Sequence, residues 1–417
     1  MKRNGILLLI LCVSLFASVT NFIPVSVSYC LLILFVPVIC SRIPKKSVFW
    51  SLLCLYIFFL VSSLIYHPES LLNVSFYRRD GNFFITFLPL LILSQQRIWF
   101  NTEKIVRRFI YFATAVNLLC MVLPRIGFNP YDLITIETAT INHFLFLTHN
   151  AAGGFIAVVL AFNVGYFLSG RTEQTRKSML ICCLINLIAL VDSGSRGTLI
   201  AFAISAVLFV VLYKDLSERR RSRPIDQILF LIVLILNVMI VTVVADERLY
   251  NFVLNALHIS SRSFAIGART KNLWPKAIRL FSASPIVGTG YGSFNDDPIL
   301  LKVIVKGLLA MNQPAEYIYS AAHAHNTYLH VMAETGIIGL LLLLIFLKCL
   351  RDHVMTIRNR PLRYGLYIGL CMNIFSSFTE HRLFTPSQMI PYVLILGMII
   401  SEERSEKFWK NMRGESL

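Results

Sequence analysis

The sequence predicts an all-α, polytopic integral membrane protein with about twelve transmembrane helices, and three observations carry that prediction. Apolar residues make up 56% of the chain and charged residues only 15%, a balance that one soluble core of ordinary surface polarity does not accommodate. Apolar runs of about 15 to 20 residues, long enough to cross a hydrocarbon core, recur from end to end. Lys and Arg fall in alternate loops, as the positive-inside rule requires of a multi-span chain.

The expected spans are Ile6 to Val19, Phe22 to Cys40, Val48 to Tyr66, Phe83 to Leu93, Phe109 to Leu123, Ala151 to Leu168, Met179 to Val191 and Thr198 to Tyr213, followed by Ile228 to Ala245, Ile337 to Leu347, Tyr364 to Phe378 and Met389 to Ile400. The shorter runs borrow flanking residues or lie half-buried. Met1-Lys2-Arg3 ahead of the first run reads as the start of a retained helix rather than a cleaved signal peptide. An even number of spans then puts both chain ends on the cytoplasmic side.

Basic clusters such as Arg219 to Arg223 and Arg358 to Arg363 lie in the cytoplasmic loops, whereas the short outer loops carry only Arg78, Arg79, Arg125, Arg196 and Arg382. This topology accounts for the net charge of +17 and calls for no nucleic acid partner. All nine cysteines fall within spans or at their inner edge, as packing residues do, and none is placed for an outer-loop disulfide. Three regions result: 1–178 with the first six spans, 179–347 as a core containing a long outer loop at 246–335, and 348–417 with the last two spans and a cytoplasmic tail. Trp274, Tyr291, Phe294, Tyr317 and Tyr319 give the loop the composition of an ordered lid on the membrane surface. No charged residue lies well inside a span, which weakens an ion-coupled carrier reading, since carriers need ionisable groups near the midplane.

Polar groups gather instead at the outer ends of the later spans, in three stretches. Asp192-Ser193-Gly194-Ser195-Arg196-Gly197-Thr198 forms a tight hairpin in which serine can cap the next helix. The helix N-terminus and the Arg196 guanidinium together suit an anion such as phosphate, although an arginine anchoring a helix end at the headgroups has the same spacing. The second stretch runs from Arg269 to Phe294. Leu273, Trp274, Ala277, Ile278 and Phe281 define an apolar side of an interfacial helix starting near Pro275, with Arg269, Lys276 and Arg279 projecting elsewhere. Pro285 to Gly292 after it is a glycine-rich turn without the strand-to-helix setting of a nucleotide loop.

The third stretch is Ala324-His325-Asn326-Thr327-Tyr328-Leu329, leading to His330, Glu334, Gly336 and Gly339. Continued as a helix it places His325, Leu329, Met332 and Gly336 on one face and puts Glu334 about 180° away. His330 and Glu334 share a face, but two ligands without a third are weak evidence for metal, and no metal is expected. His323 and His330 read as packing residues.

In order, sidedness and spacing, the three stretches resemble the O-antigen ligase and polymerase family of bacterial envelope glycan enzymes. The resemblance rests on Ser195-Arg196-Gly197, on Arg269 and Trp274 before Pro285-x-x-Gly288-x-Gly290-Tyr291-Gly292, and on His325-Asn326-x-x-Leu329 before Gly336-x-x-Gly339, and covers Met179 to Leu347. It implies a GT-C-like glycosyltransferase of the bacterial inner membrane, without cofactor or metal, that takes a glycan from an undecaprenyl-pyrophosphate carrier at the periplasmic face. Arg196 and Arg269 would stabilise the leaving pyrophosphate. His325 would be the base that deprotonates the acceptor hydroxyl, histidine being the side chain whose ordinary pKa, about 6.5, leaves a neutral imidazole at working pH. Glu334 is a second catalytic candidate, and Glu380, His381 and Arg382 could shape an acceptor groove. Beyond membrane lipids, the expected partners are the carrier-linked donor and either the lipid A core, for a ligase, or another glycan, for a polymerase. Ligase is the preferred expectation. A flippase for lipid-linked oligosaccharide is the non-enzymatic alternative, and it would need a polar path through the membrane that the spans do not supply.

Overall fold

The computed structural model describes residues 6, 8–11, 46–66, 68, 71, 83–96, 100–128, 144–146, 149–169, 172–213, 273–296 and 323–412. Every regular element among them is helical. We number the α-helices α1 (Ser47–Tyr66), α2 (Phe83–Ser94), α3 (Thr102–Arg125), α4 (His149–Ser169), α5 (Glu173–Asp192), α6 (Arg196–Tyr213), α7 (Trp274–Ala283), α8 (Thr327–Thr356), α9 (Arg360–Ser376) and α10 (Pro386–Met412). Among the described residues, α1, α3, α4, α5 and α8 are long and apolar enough to cross a membrane, and α2 and α6 are shorter apolar helices. The expected spans at 22–40 and 228–245, most of the one at 6–19, and Arg269 lie outside the described residues.

Helices α1, α2 and α3 alternate in direction, as do α9 and α10, and the polar contacts at their ends show it. At one end of the bundle Lys46 pairs with Glu403 at 2.6 Å, Thr102 donates to Glu402, Asn359 to Glu103, and Arg404 to the Ser94 carbonyl. At the other end Arg125 pairs with Asp192 at 2.8 Å and the Phe83 amide donates to the Tyr291 hydroxyl. Helix α4 is the hub of the bundle, buried from Ala151 to Phe167. The outward faces of α1 and α5 expose Ile57, Leu64, Ile181 and Ile188, as helices facing lipid do. Between α3 and α5, Asn117 donates to Asn186 and Asn186 to Thr114, both at 2.7 Å, a buried polar ladder of the kind that joins helices inside a bilayer.

Several helices run past the expected spans, α3 from Thr102 and α8 to Thr356 among them. The helix at the tenth span starts at Thr327, so the last residues of the expected outer loop are helical, and the tail is helical as far as Met412. Asn326 sets the start at Thr327, because its side chain accepts from the Leu329 amide as an N-cap. Gly336, at φ 62°, breaks the regular course of α8. There the chain between α7 and the 3₁₀ turn Ser293–Asp296 inserts: the amides of Ile337 and Ile338 donate to the carbonyls of Pro285 and Ile286 at 2.9 and 3.2 Å. The break therefore leaves these backbone donors satisfied. Neither side of the junction has room for a side chain, since a Cβ on Gly336 would lie 2.3 Å from the Ile286 carbonyl oxygen and one on Gly288 the same distance from Glu334 backbone.

Helix α7 forms with Pro275 in its first turn, as expected, but its faces are turned relative to the sequence reading. Lys276 is buried, donating to the Phe294 carbonyl with its ammonium 4.3 Å from that ring, while Ile278 is exposed. The small side chains of Ala277, Ala324 and Ala333 let α7 sit directly on α8, with Phe294 filling the seam. That packing, rather than the segment's own amphipathic pattern, sets the rotation of α7.

Candidate functional site

The site forms where α4, α6, α8 and α10 begin and α9 ends. His325 does not lie on a helix. It precedes the Asn326 cap with φ 48°, a left-handed conformation uncommon for a side-chain-bearing residue. The expected face shared with Leu329 and Met332 is thus not formed, because the cap at Asn326 starts the helix two residues later. The Thr327 amide donates to the Ser377 carbonyl at 2.8 Å, and the Tyr328 hydroxyl to the Ile374 carbonyl, tying the start of α8 to the end of α9.

This tie brings His325 to Glu380, with Nδ1 2.8 Å from Oε2. A carboxylate only accepts, so Nδ1 carries the hydrogen in the neutral ring and Nε2 keeps its lone pair. The His325 side chain is 26% exposed and that of Glu380 9%, which leaves the imidazole open on one side and its orienting group enclosed. The other carboxylate oxygen accepts from the Asn150 side-chain amide at 2.8 Å, and the Oδ1 of that same side chain accepts from the Ser195 hydroxyl at 3.2 Å. A chain of hydrogen bonds thus runs from His325 through Glu380 and Asn150 to the hairpin that ends in Arg196.

Arg382 holds the same parts together from below. It lies in a buried 3₁₀ turn, Arg382–Phe384, and is itself 1% exposed. One terminal nitrogen donates to the Asn150 carbonyl and to Gln388 Oε1, the other to the hydroxyls of Ser195 and Thr198. Its fork therefore joins the beginnings of α4, α6 and α10. Gly154 makes room for it, since a Cβ there would lie 2.5 Å from the guanidinium and 2.3 Å from the Gln388 oxygen. Glu380, His381 and Arg382, expected as residues that could shape an acceptor groove, are all buried, at 7%, 2% and 1% exposure. The tight turn between α9 and α10 folds them inward.

The remaining candidates sit around this centre. Arg196 opens α6 and is half-buried, with its amide donating to the Gly194 carbonyl. The hairpin expected between Asp192 and Thr198 is formed, with Gly194 at φ 67°. Glu334 is engaged away from His325: it accepts from the Phe294 amide at 3.0 Å and faces His330 Nε2 at 3.4 Å, while its backbone carbonyl accepts from Gly290. These contacts hold the glycine-rich turn against α8. His323 lies against His325 with ring centroids 4.2 Å apart, and His381 contacts both His323 and His330. Among the described residues, the group able to hold a metal ion is His323, His325 and Glu380, rather than His330 and Glu334. Asn150 and Gln388 belong to none of the three motif stretches. Their one visible signal was position: each is a polar residue at the start of an apolar helix, on the end of the bundle where the three motif stretches meet.

Residues 181–344 match the model of a family described as O-Antigen ligase. The matched stretch contains the hairpin, α7, the glycine-rich turn and His325, and it stops short of Glu380 and Arg382. No curated protein matches the chain. The match supports the O-antigen ligase/polymerase family and, with the apolar helices, an O-antigen ligase-like function in membrane glycan processing.

Proposed function

We propose, from the match of residues 181–344 to the O-antigen ligase family model, that the protein transfers a glycan from an undecaprenyl-pyrophosphate carrier to an acceptor hydroxyl at the periplasmic face of the inner membrane, joining O-antigen to the lipid A core. The observation that carries this reading is the His325–Glu380 pair linked through Asn150 to Ser195, the residue next to Arg196 at the start of α6. It sets a base and a cation on one hydrogen-bonded framework, as a transfer with an anionic leaving group requires.

In this reading His325 Nε2 takes the proton of the acceptor hydroxyl as its oxygen attacks the anomeric carbon. The bond from that carbon to the pyrophosphate oxygen breaks, and the carrier leaves as its pyrophosphate. The proton stays on His325, where the Glu380 carboxylate stabilises the imidazolium, and Glu380 is accordingly a positioning residue. Arg196 receives the charge that develops on the leaving group, with Arg269 as its expected companion. Arg382 keeps the Ser195–Arg196 turn in register and does not itself bind the donor, since its terminal nitrogens are spent on Ser195, Thr198, Gln388 and the Asn150 carbonyl. No step in this scheme is assigned to a metal ion, and transfer in excess chelator is expected to continue.

The test is transfer by purified protein from a glycan-pyrophosphate carrier to lipid A core, beside the glycan pattern of cells lacking the gene. Full-length chains stranded on the carrier support the ligase. Loss of everything beyond one repeat unit makes the protein a polymerase, and unchanged glycans with no transfer in vitro overturn both.

A further inference from the structure

His323 has no part in the transfer derived above, yet it sits on the catalytic pair with its ring centroid 4.2 Å from that of His325. One nitrogen from each imidazole and one Glu380 carboxylate oxygen all lie within 4.8 Å of one another. We propose that His323, His325 and Glu380 form a binding site for a divalent transition-metal ion, zinc foremost, and that its occupation withdraws His325 from proton transfer.

Two neutral imidazoles and a carboxylate are a donor set that zinc accepts, and three protein ligands leave a fourth position for water. Donors about 2.0–2.2 Å from a tetrahedral zinc stand roughly 3.3 Å apart. His325 and Glu380 are already closer than this, at 2.8 Å, so the ion would enter by parting them and drawing His323 inward. The surroundings resemble those of built metal sites. Asn150 donates to the second Glu380 oxygen and fixes the carboxylate from behind, as outer-shell partners of metal ligands do. His323 and His325 are half-buried and Glu380 is buried, so the ligands are open on one side and anchored on the other. Binding replaces the hydrogen bond between His325 and Glu380 and releases any ligand proton to solvent. The imidazole that should take the acceptor's proton is then a metal ligand separated from its orienting carboxylate. The metal site stands on this geometry alone, whereas its inhibitory effect rests on the role given to His325 in the proposed transfer.

The experiment uses the full-length protein in detergent, stripped with chelator and titrated with zinc chloride by calorimetry, while transfer is followed in parallel. One zinc per chain is expected. Binding should be lost in His323→Ala and His323→Gln, weakened about 10- to 100-fold in Asn150→Ala, and kept in His330→Ala. Zinc should stop transfer by the natural protein and spare His323→Ala, which transfers at the unmodified rate without metal. Absence of stoichiometric binding, equal binding by both His323 variants, or equal loss in His330→Ala overturns the site. Zinc that binds there while transfer continues or quickens overturns the inhibition. Because calorimetry reads the site without turnover, failure of the metal proposal and failure of the transferase reading give different results.

Discussion

His325 Nδ1 and Glu380 Oε2 meet at 2.8 Å across 55 positions of sequence, one residue just before α8 and the other just after α9. Neither lies in a regular helix, and His325 is held at φ 48°, in the left-handed region. Such conformations cost free energy, and they persist where the surroundings over-determine them. Here the surroundings are the Asn326 cap on one side and the bond from Thr327 to the Ser377 carbonyl on the other. The pair therefore depends on how two helix ends dock and belongs to neither helix alone.

That dependence gives the first prediction. His325→Ala removes the base and should lower the transfer rate about 10²- to 10⁴-fold. Glu380→Gln keeps the shape but no longer selects the tautomer with the hydrogen on Nδ1 or stabilises the imidazolium. It should lower kcat while leaving the donor KM near its original value. Steady-state kinetics on the purified variants decide it: a Glu380→Gln enzyme with raised donor KM and unchanged kcat would make Glu380 part of the donor site.

Arg382 carries the second prediction. Its two terminal nitrogens serve four oxygens at directions fixed by the planar guanidinium, and a lysine ammonium on its single nitrogen cannot reach them all. Arg382→Lys should therefore destabilise the protein despite keeping the charge, by about 1–3 kcal/mol for each buried acceptor left without a donor. Thermal unfolding in detergent measures this. An unchanged melting temperature would mean that water enters and satisfies the site.

The difference between what could be read in advance and what could not follows from the range of the interactions. Helices α1 to α6 were legible because hydropathy is a local property, and the Asp192–Thr198 hairpin because Gly194 and its neighbours announce a turn. Pro275 likewise marked the start of α7. The burial of Lys276 was not legible, since a lysine beside Arg279 reads as a solvated face until Phe294 is known to cover it. Nor was the place of Arg382, whose partners Asn150, Ser195 and Gln388 come from three different helix starts. Nor was the engagement of Glu334 with the Phe294 amide, since that amide comes from a loop lying dozens of residues earlier in the chain.

The third prediction tests the junction at Gly336. Alanine there would need a strained φ of 62° and would drive its Cβ to 2.3 Å from the Ile286 carbonyl oxygen. Strain of this kind costs about 1–3 kcal/mol, and relief by straightening α8 would expel the Pro285–Gly292 turn. Gly336→Ala should therefore lower the melting temperature and open the turn to protease. Cleavage between Ile286 and Gly292 at the unmodified rate, with unchanged melting, would show that the helix tolerates the side chain without moving the loop.

The last prediction separates donor binding from proton transfer at the same end of the bundle. Arg196 stands at the first position of α6, where the N-terminal end of the helix dipole adds to its own charge. It is half-buried, so an anion held there is partly screened by solvent and partly by protein. A guanidinium can grip two phosphate oxygens at once, whereas lysine offers a point charge. Arg196→Lys should therefore weaken carrier binding and transfer together, by roughly the tenfold to hundredfold that corresponds to losing one charge-assisted hydrogen bond of about 1.5–3 kcal/mol. His325→Ala should do the reverse, with carrier binding preserved and transfer slowed. Neither change should disturb insertion, because Arg196 and His325 lie at helix ends rather than in the packed stripes. The two variants are compared by binding of the pyrophosphate carrier and by single-turnover transfer. If Arg196→Lys binds carrier normally but transfers slowly, the arginine acts only as charge develops on the leaving group. If it is silent in both, the anion site has to be sought at Arg269.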